Sequence, residues 1–575
     1  MTVHNADIAA AFEEIADLLS IQGANAFRIR AYRRAAQTLR SVPHEITTGV
    51  DPAAYASLPG IGADLASKIA ELVRTGKLGA LLRLRREVPA GARDLLSLPG
   101  LGPVHVRTLV SGLQIRDRTA LRRALAAGRL AGVRGFGPAL RARLEQALAR
   151  PASETARRLP LSQAAQYAEP LRDFLAAVPG VERAEIVGSY RRGRDTVGDL
   201  DVLLCAGAAA DPIAALRGYS DLGSLNASGR TKAAGVLRNG LPFDLRIVAT
   251  ESFGAALQYF TGSKEHGIRL RQIAHARGLK LSEYGLFRGK RRLAGRREED
   301  VYAALGLAWV PPELREDRGE VEAAERNALP QLLLHSDLRG DLHVHTRATD
   351  GNDSLADMVN AARAAGLSYI AITDHSKHLG IVHGLDAGRL ARQCDEIDAL
   401  NARLRGFTVL KGVEVDILAD GSLALPDSVL ARLDVVIAAV HSHFDLSEAK
   451  QTVRVLRALE HPHVTMLAHP SGRLLGEREP CALDFERLLA AARARSCFLE
   501  LNGQPQRLDL DDVRVKAAIE HGVLLSLASD AHSVEQFANL HGAVRQARRG
   551  WARRADVLNT RPLTELRRLL RTAHG

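Results

Sequence analysis

The residues that first invite chemistry are Asp199 and Asp201, in Gly198-Asp199-Leu200-Asp201. Side chains alternate along a strand, so the two carboxylates share one face while Leu200 and Val202 turn into the fold. Side by side they repel unless a cation sits between them. Hard divalent ions with oxygen ligands fill that role, and a pair of them can activate an attacking oxygen and stabilise a leaving one. A third acid, Asp244 in Pro242-Phe243-Asp244-Leu245-Arg246, sits on another strand-like run able to lie beside the first. Just upstream, Gly188-Ser189-Tyr190-Arg191-Arg192-Gly193 offers backbone N–H groups, a hydroxyl and guanidinium forks suited to a triphosphate. A lone Asp-x-Asp is more often a solvated strand end; the basic turn and the third acid tip the reading toward a metal site. The apolar runs on either side predict strand, short basic turn, strand.

A second set gathers late in the chain, where 14 of the 20 histidines follow residue 340. Asp341-Leu342-His343-Val344-His345 puts two imidazoles on one strand face. Asp350, Asp374-His375, Glu414, His441-Ser442-His443, Ala468-His469-Pro470 and Ser529-Asp530-Ala531-His532 follow. Most close an apolar run, such as Tyr369-Ile370-Ala371-Ile372 before Asp374, and helical stretches lie between. Ligands at the ends of βα-repeat strands converge at the C-terminal mouth of a barrel, where barrel active sites form. One strand-end histidine is usually structural; so many converging ones predict a cation cluster. Its charge would lower the pKa of water and compensate a phosphodiester, which is hydrolysis chemistry. His443 and Asn502 are candidate supports or substrate contacts.

The elements before these two sets read as a basic helical region. Asn5 can cap a helix that carries Ile8, Phe12, Ile15 and Leu19 on one face. Leu58-Pro59-Gly60-Ile61-Gly62 opens a further helix; the pattern returns at Leu98-Pro99-Gly100-Leu101-Gly102 and, more weakly, at Val133-Arg134-Gly135-Phe136-Gly137. A Gly-x-Gly turn entering a helix lets backbone approach a phosphate and offers it unpaired N–H groups without reading sequence. Residues 1–160 hold 24 Lys and Arg against 13 Asp and Glu, nearly all of the chain's net +12. Three such turns on a basic background predict DNA-backbone binding through Gly60, Gly62, Gly100, Gly102, Gly135 and Gly137.

At 575 residues, 46% hydrophobic and 25% charged, the chain has room for three or four domains of ordinary globular composition. No apolar run approaches membrane-spanning length, and the first residues lack a basic-then-apolar signal pattern. The expectation is a cytoplasmic protein with no membrane partner. Cys205, Cys394, Cys481 and Cys497 show no paired spacing, so they are expected as buried small residues rather than disulfides or zinc ligands.

Gly188-Ser189, Gly198-Asp199-x-Asp201, Asp244 before an Arg, and Tyr259-Phe260-Thr261-Gly262-Ser263 together resemble the family X DNA polymerases. The late histidines and acids resemble the PHP (polymerase and histidinol phosphatase) phosphoesterases, including their bacterial pairing with a family X polymerase. The resemblance implies a multidomain chain: an α-helical helix-hairpin-helix N-terminal domain, an α+β nucleotidyltransferase palm with fingers- and thumb-like parts, and a C-terminal α/β distorted (β/α)7 barrel. The expected division is 1–88 (helical DNA-binding), 89–159 (helix-hairpin-helix, fingers-like), 160–320 (palm and thumb-like), 321–339 (linker) and 340–575 (PHP). By resemblance, Gly188, Ser189, Arg192 and Gly198 hold a nucleotide's phosphates, and Tyr259, Phe260 and Gly262 border its sugar and base. Asp199, Asp201 and Asp244 hold two Mg²⁺ ions, with Asp244 near the primer 3′-hydroxyl, while Lys232 meets the template side. Lys68, on the helix after the first hairpin, matches a lysine that forms a Schiff base with a baseless sugar. In the barrel, His343, His345, Asp350, His375, Glu414, His441, His469, Asp530 and His532 hold up to three Mn²⁺ or Zn²⁺ ions.

The implied activities are filling of short gaps in DNA repair from deoxynucleoside triphosphates, and metal-dependent 3′→5′ removal of terminal nucleotides, with cleavage at baseless sites as an extension. The implied partners are gapped or primer-template DNA, and the family implies a nucleoid-associated bacterial monomer. Two positions depart from the pattern. Val197 replaces a hydroxyl residue before Gly-Asp-x-Asp, and His266-Gly267 stands where an Asn usually reaches the nucleotide's minor-groove edge. Two other readings stay open: a PHP nuclease whose palm only docks DNA, and an end-binding scaffold with both sites idle.

Overall fold

The computed structural model describes residues 5–41, 55–56, 58, 60–88, 90–96, 98, 100–149, 158–207, 209–377 and 383–573. It divides into two compact units, one of Met1–Arg157 with Gly218–Gly223 and Leu237–Leu241, the other of Arg158–Arg217, Ser224–Val236 and Pro242–Gly575. Among the described residues no helix is long and apolar enough to cross a membrane.

In the first unit the described residues before 157 form helices alone. Asn5–Gln22 buries Ile8, Phe12, Ile15 and Leu19, the stripe its spacing predicts. It packs on Ala26–Ser41, with the Phe12 and Tyr32 rings meeting edge to face at 5.4 Å. Ile69, Leu109 and Leu144, from the helices behind the three Gly-x-Gly turns, join the same core. Each large apolar side chain buried this way contributes about 1.5–3 kcal/mol, so the turns are held by what their helices bury.

The second unit begins with β1 (Leu159–Pro160), the helix Leu161–Ala176 and β2 (Val181–Ile186). After β3 (Thr196–Val197) and β4 (Leu200–Ala206) come β5 (Leu222–Ser228), β6 (Lys232–Leu237) and β7 (Pro242–Val248). The five longer strands form a sheet in the order β2-β4-β7-β6-β5, with β4 and β7 parallel. The expected turn between β2 and β4 differs: Gly188–Arg191 is one turn of helix, followed by β3 paired to β1. The cause is local. Gly188 sits at φ +62°, and a Cβ there would lie 2.1 Å from Asp201 Oδ2, so only glycine lets the chain wind this tightly against the acid.

Next, β8 (Lys280–Ser282), β9 (Gly285–Arg288) and β10 (Arg291–Ala294) form a small antiparallel sheet. The charged stretch that follows, leading into the expected 321–339 linker, has a buried polar core. Arg315 and Glu320 are both fully buried; Arg315 donates to Glu298 at 2.6 Å and to the Val310 carbonyl at 2.9 Å.

The last seven strands are β11 (Gly340–Val344), β12 (Tyr369–Ile372), β13 (Thr408–Asp416), β14 (Val435–Ala439), β15 (Met466–Leu467), β16 (Phe498–Asn502) and β17 (Leu525–Ala528). They are all parallel and lie in sequence order, and a bridge from Val344 to Ala531 ties the first to the last. Apart from Thr408 and Lys411 of β13, every residue of these strands is buried, as expected of strands covered on both faces. This is a nearly closed seven-stranded barrel, and Leu566 and Leu570 of the C-terminal helix Leu563–Ala573 join one of its two cores. All four cysteines are buried and free.

Charged pairs join the five-stranded sheet's surroundings to the barrel. Arg549, 3% exposed, donates to Glu316 at 3.1 Å, to the Arg192 carbonyl at 2.7 Å and to Asp512 at 2.5 Å. Arg473 reaches Asp195 at 3.1 Å.

Candidate metal centres

In the five-stranded sheet, Asp201 of β4 stands directly beside Asp244 of β7, and Asp199 lies on the turn just before β4. Burial, then Asp199 and Asp244, push the Asp201 carboxyl up to about 7. Three acids with too little positive charge among them form a cradle for divalent ions. Close by, the Ser189 hydroxyl is buried with no hydrogen-bond partner. The donor set therefore fits hard cations and a polar ligand.

The phosphate turn and the Tyr-Phe-Thr-Gly segment are tied together. Arg191 donates to Thr261 Oγ1 at 2.7 Å and to both Glu298 oxygens at 2.9 and 3.1 Å, so its fork belongs to the fold rather than to a ligand. Arg192 donates from Nε to Glu316 at 3.0 Å and from Nη1 to the Thr261 carbonyl at 2.6 Å, beside Gly262. Tyr259 is 39% exposed and meets Phe260 edge to face at 5.1 Å. A Cβ at Gly198 would stand 2.9 Å from Arg158 Nη1. Lys232 is exposed at the start of β6. Val197 is fully buried. His266 is buried between Glu320, at 2.6 Å from Nδ1, and the Tyr302 hydroxyl, at 2.9 Å from Nε2, so it is a packing residue. Gly267 follows it on the helix Lys264–Ala276.

At the barrel's C-terminal strand ends Glu414 is the hub. Its oxygens lie 2.8 Å from His375 Nδ1, 3.0 Å from His469 Nε2, 3.1 Å from His441 Nε2, 3.5 Å from His343 Nε2 and 3.6 Å from His345 Nε2. Asp530 stands 3.2 Å from His345 Nε2, and Asp350 stands 3.4 Å from His532 Nε2 and 3.5 Å from His375 Nε2. The ligand atoms fall into three overlapping groups: His345, Asp350, His375 and His532; His343, His345 and Asp530; His375, Glu414 and His441. All nine expected ligands thus meet in one place. His343 Nε2, both His345 nitrogens, His375 Nδ1 and Glu414 Oε2 are buried without a hydrogen-bond partner although they crowd together. Buried lone pairs aimed at shared points suit cations.

The electrostatics point the same way. Burial works against ionising Glu414 and Asp530, yet the histidines around them hold both well below the usual carboxylate range. Burial, then His532 and His375, bring His345 down to about 4; against burial, Asp350 holds His532 up at about 9.

Several supports were not expected. Glu500 meets His343 Nδ1 at 2.6 Å, and Asp416 meets His441 Nδ1 at 2.8 Å, each orienting a ring so that its other nitrogen faces the cluster. Asp374 accepts from the Thr346 backbone at 2.8 Å and the Thr346 hydroxyl at 2.6 Å. The signal available was an acid interrupting an apolar run, as in Phe498-Leu499-Glu500-Leu501. Asn502 donates to Glu500 at 2.7 Å and to Asp530 at 2.9 Å. His443 takes no part in this bonded ring among the described residues.

Two of the Gly-x-Gly turns share one geometry. Gly60 and Gly100 have φ of +73° and +87°, while Gly62 and Gly102 cap their helices at φ −79°, ψ 172° and φ −81°, ψ 171°. Gly135 is at φ +90°, and nothing lies within 4 Å of where a Cβ would stand on Gly62, Gly102 or Gly137. Open backbone at helix starts is what a phosphate requires. Lys68 is paired with Asp64 one turn earlier on its helix.

Family models match along the chain: a helix-hairpin-helix domain at 3–78, a SAM-like helix-hairpin-helix tandem at 92–149, the DNA polymerase beta palm at 158–217, the DNA polymerase beta thumb at 256–316 and a PHP domain at 341–502. The DNA polymerase/3′-5′ exonuclease PolX of Bacillus subtilis is 38% identical over 574 residues, 99% of this chain and 100% of that protein. A probable phosphatase of Thermoanaerobacter sp. is 28% identical over 232 residues, 38% of this chain and 89% of its own. Another, from Caldanaerobacter subterraneus, is 29% identical over 219 residues, 36% of this chain and 80% of its own. With polymerase beta palm and thumb matches ahead of a PHP barrel, and end-to-end similarity to PolX, the chain belongs to the bacterial family X DNA polymerases that carry a C-terminal PHP domain.

Proposed function

We propose that this chain fills short gaps in DNA by adding deoxynucleotides to a primer 3′ end and removes 3′-terminal nucleotides at its barrel site. What supports the reading most is the barrel, where imidazoles and acids gather, with Asp201 standing beside Asp244 on the sheet. Asp199, Asp201 and Asp244 would hold two Mg²⁺ ions, and the nine barrel residues up to three Mn²⁺ or Zn²⁺ ions. Bound there, such ions supply charge that lowers the pKa of an attacking oxygen and offsets the charge building on phosphorus.

The chain's own residues do the rest. Asp244 would take the primer hydroxyl's proton. Gly188, Ser189, Gly198 and Arg192 receive the triphosphate, which requires Arg192 to exchange Glu316 for phosphate. Tyr259, Phe260 and Gly262 border the sugar and base, and Lys232 approaches the template strand. In the barrel Glu500 and Asp416 fix His343 and His441. The Gly-x-Gly turns hold the duplex by its backbone, with 1–88 and 89–159 as DNA-binding parts, 160–320 as the polymerase, 321–339 as its join and 340–575 as the nuclease. The working form is a monomer in the bacterial cytoplasm, at the nucleoid. Lys68 would be the amine that attacks a baseless sugar, leaving Asp64 to do so; loss of a borohydride-trapped adduct in Lys68→Ala with DNA binding intact tests it. Cleavage of a duplex carrying a baseless site tests the same extension for the barrel.

The deciding experiment uses one labelled gapped duplex with Mg²⁺ or Mn²⁺, with and without deoxynucleoside triphosphates. Asp201→Ala should abolish the extended product and spare the shortened ones, and His343→Ala the reverse. Extension that survives Asp201→Ala would leave the palm a docking surface.

A further inference from the structure

Next to the barrel cluster lies a cavity of about 600 Å³, within the ~300–1,000 Å³ of small-molecule sites. One wall, Thr346-Arg347-Ala348, continues directly from His345, and another is the helix Ala387–Asn401. Leu355, Leu385 and Leu400 make an apolar face. Four arginines border the space against a single glutamate, Glu396. Arg389 is spoken for, since its guanidinium donates to the carbonyls of Ala348, Gly384 and His383 and so frames the opening. Arg347, Arg392 and Arg403 remain on the rim.

At the back stands Gln393, 6% exposed. Its Nε2 donates to Asp374 at 2.5 Å, but its Oε1 is buried with no partner. A buried acceptor without a partner is destabilising, and the amide is complete only when a ligand brings an N–H. The cavity therefore asks for three things together: a flat apolar body, an N–H donor on that body, and an anion at arm's length from it. A nucleobase joined to a phosphate has all three, and every common base carries an N–H.

We propose that this cavity binds one nucleotide unit beside the nuclease centre, its base against Leu355, Leu385 and Leu400, a base N–H on Gln393 Oε1, and its phosphate on Arg347, Arg392 and Arg403. The proposal rests on the nuclease reading for its purpose but not for its test. Two sources share the chemistry: the mononucleotide released by the reaction, or a nucleotide of the strand being trimmed.

The test titrates deoxyadenosine 5′-monophosphate into the full-length Mn²⁺-loaded chain by calorimetry and, separately, measures KM for a single-stranded oligonucleotide. Arg392→Glu, at an exposed position, and Leu400→Trp, which fills the cavity, are compared with His343→Ala. Binding weakened tenfold or more by the two cavity variants, and changed less than threefold by His343→Ala, supports a product site. A tenfold rise in KM in the cavity variants without detectable mononucleotide binding supports a strand site. Mononucleotide binding that vanishes in His343→Ala but persists in both cavity variants places the ligand on the metal centre and overturns the proposal, as does the absence of both effects. A wild-type chain without nuclease activity would fail the functional reading alone, because the titration still reports on the cavity.

Discussion

On the sheet, burial with Asp199 and Asp244 pushes Asp201 up to about 7, and Arg192 and Arg246 offset this only in part. In the barrel, Glu414 and Asp530 are more deeply buried than Asp201, yet His343 and its neighbouring imidazoles hold both well below the usual carboxylate range. The first cluster is short of positive charge and built from hard oxygen donors, so it suits a weakly held, exchangeable ion that arrives with a charged substrate. The second neutralises itself, offers borderline-soft imidazoles on fixed strand ends, and suits a transition metal held between turnovers. One chain thus carries two phosphoryl-chemistry sites separated by ligand softness as well as by position.

The sharpest way to break that comparison is to remove one charge from each centre. Glu414→Gln takes the hub from five histidines, and 3′-end removal should fall by roughly 10²–10³-fold while gap filling changes less than threefold. Asp244→Asn should give the mirror result on the same labelled duplex. If both substitutions depress both products, the two clusters do not serve separate reactions. A second measurement asks about tenure. After dialysis without chelator, elemental analysis should find transition metal on the purified chain. That content should stay within about a third in Asp201→Ala and fall by half or more in His345→Ala, where a ligand shared by two of the three groups is lost.

The residues legible in the sequence were those whose partners lie close along the chain. Asp199 and Asp201 sit two apart on a strand, as do His343 and His345, so alternation alone placed each pair on one face. Asp244 needed only a second strand-like run, and parallel pairing of β4 with β7 then set it beside Asp201. Glu500 could not be read this way. Its task is to orient a histidine 157 residues earlier, and that depends on barrel closure rather than on any local pattern. Gln393 was silent for the same reason, an exposed-looking amide on a helix until Asp374 and the cavity wall meet it. The helical turn at Gly188–Arg191 was missed because its cause is steric. Asp201 presses on a glycine thirteen residues away, and nothing in a basic hexapeptide announces that.

A third carboxylate sharpens the contrast by receiving permanent cations. Glu298 is buried, which opposes its charge, but Arg315 at 2.6 Å and Arg191 at 2.9 Å hold it down at about 2. Its folded value lies below the ordinary 4.5, so its stabilisation is complete above pH 4.5 and is lost as pH falls from there toward 2. Integrated, that is about 3 kcal/mol. Urea unfolding followed by Trp309 fluorescence, whose indole donates to Glu298 at 3.0 Å, should show this acid loss. Glu298→Gln should flatten it and lower stability near neutrality by a similar amount. An unchanged acid limb would mean that Glu298 is not the group responsible.

The smallest expected effect bears on whether the acid cluster works with a fully equipped nucleotide site. Gly267 stands where the resemblance expects an Asn, on the helix directly after the Thr261-Gly262-Ser263 segment that Arg192 touches. Its backbone is ordinary helix, and a Cβ there would meet only the far end of Arg271, at 3.4 Å. The position therefore has room for a side chain, and Arg271, whose guanidinium lies 5.8 Å from the Tyr259 ring centre, can give way. Gly267→Asn should add one amide hydrogen bond to an incoming nucleotide, worth about 0.5–1.5 kcal/mol. That corresponds to a two- to tenfold lower KM for the deoxynucleoside triphosphate, with kcat and nuclease rate unchanged. Steady-state extension of a one-nucleotide gap measures it, and an unchanged or raised KM would show that the base edge is not presented to this helix.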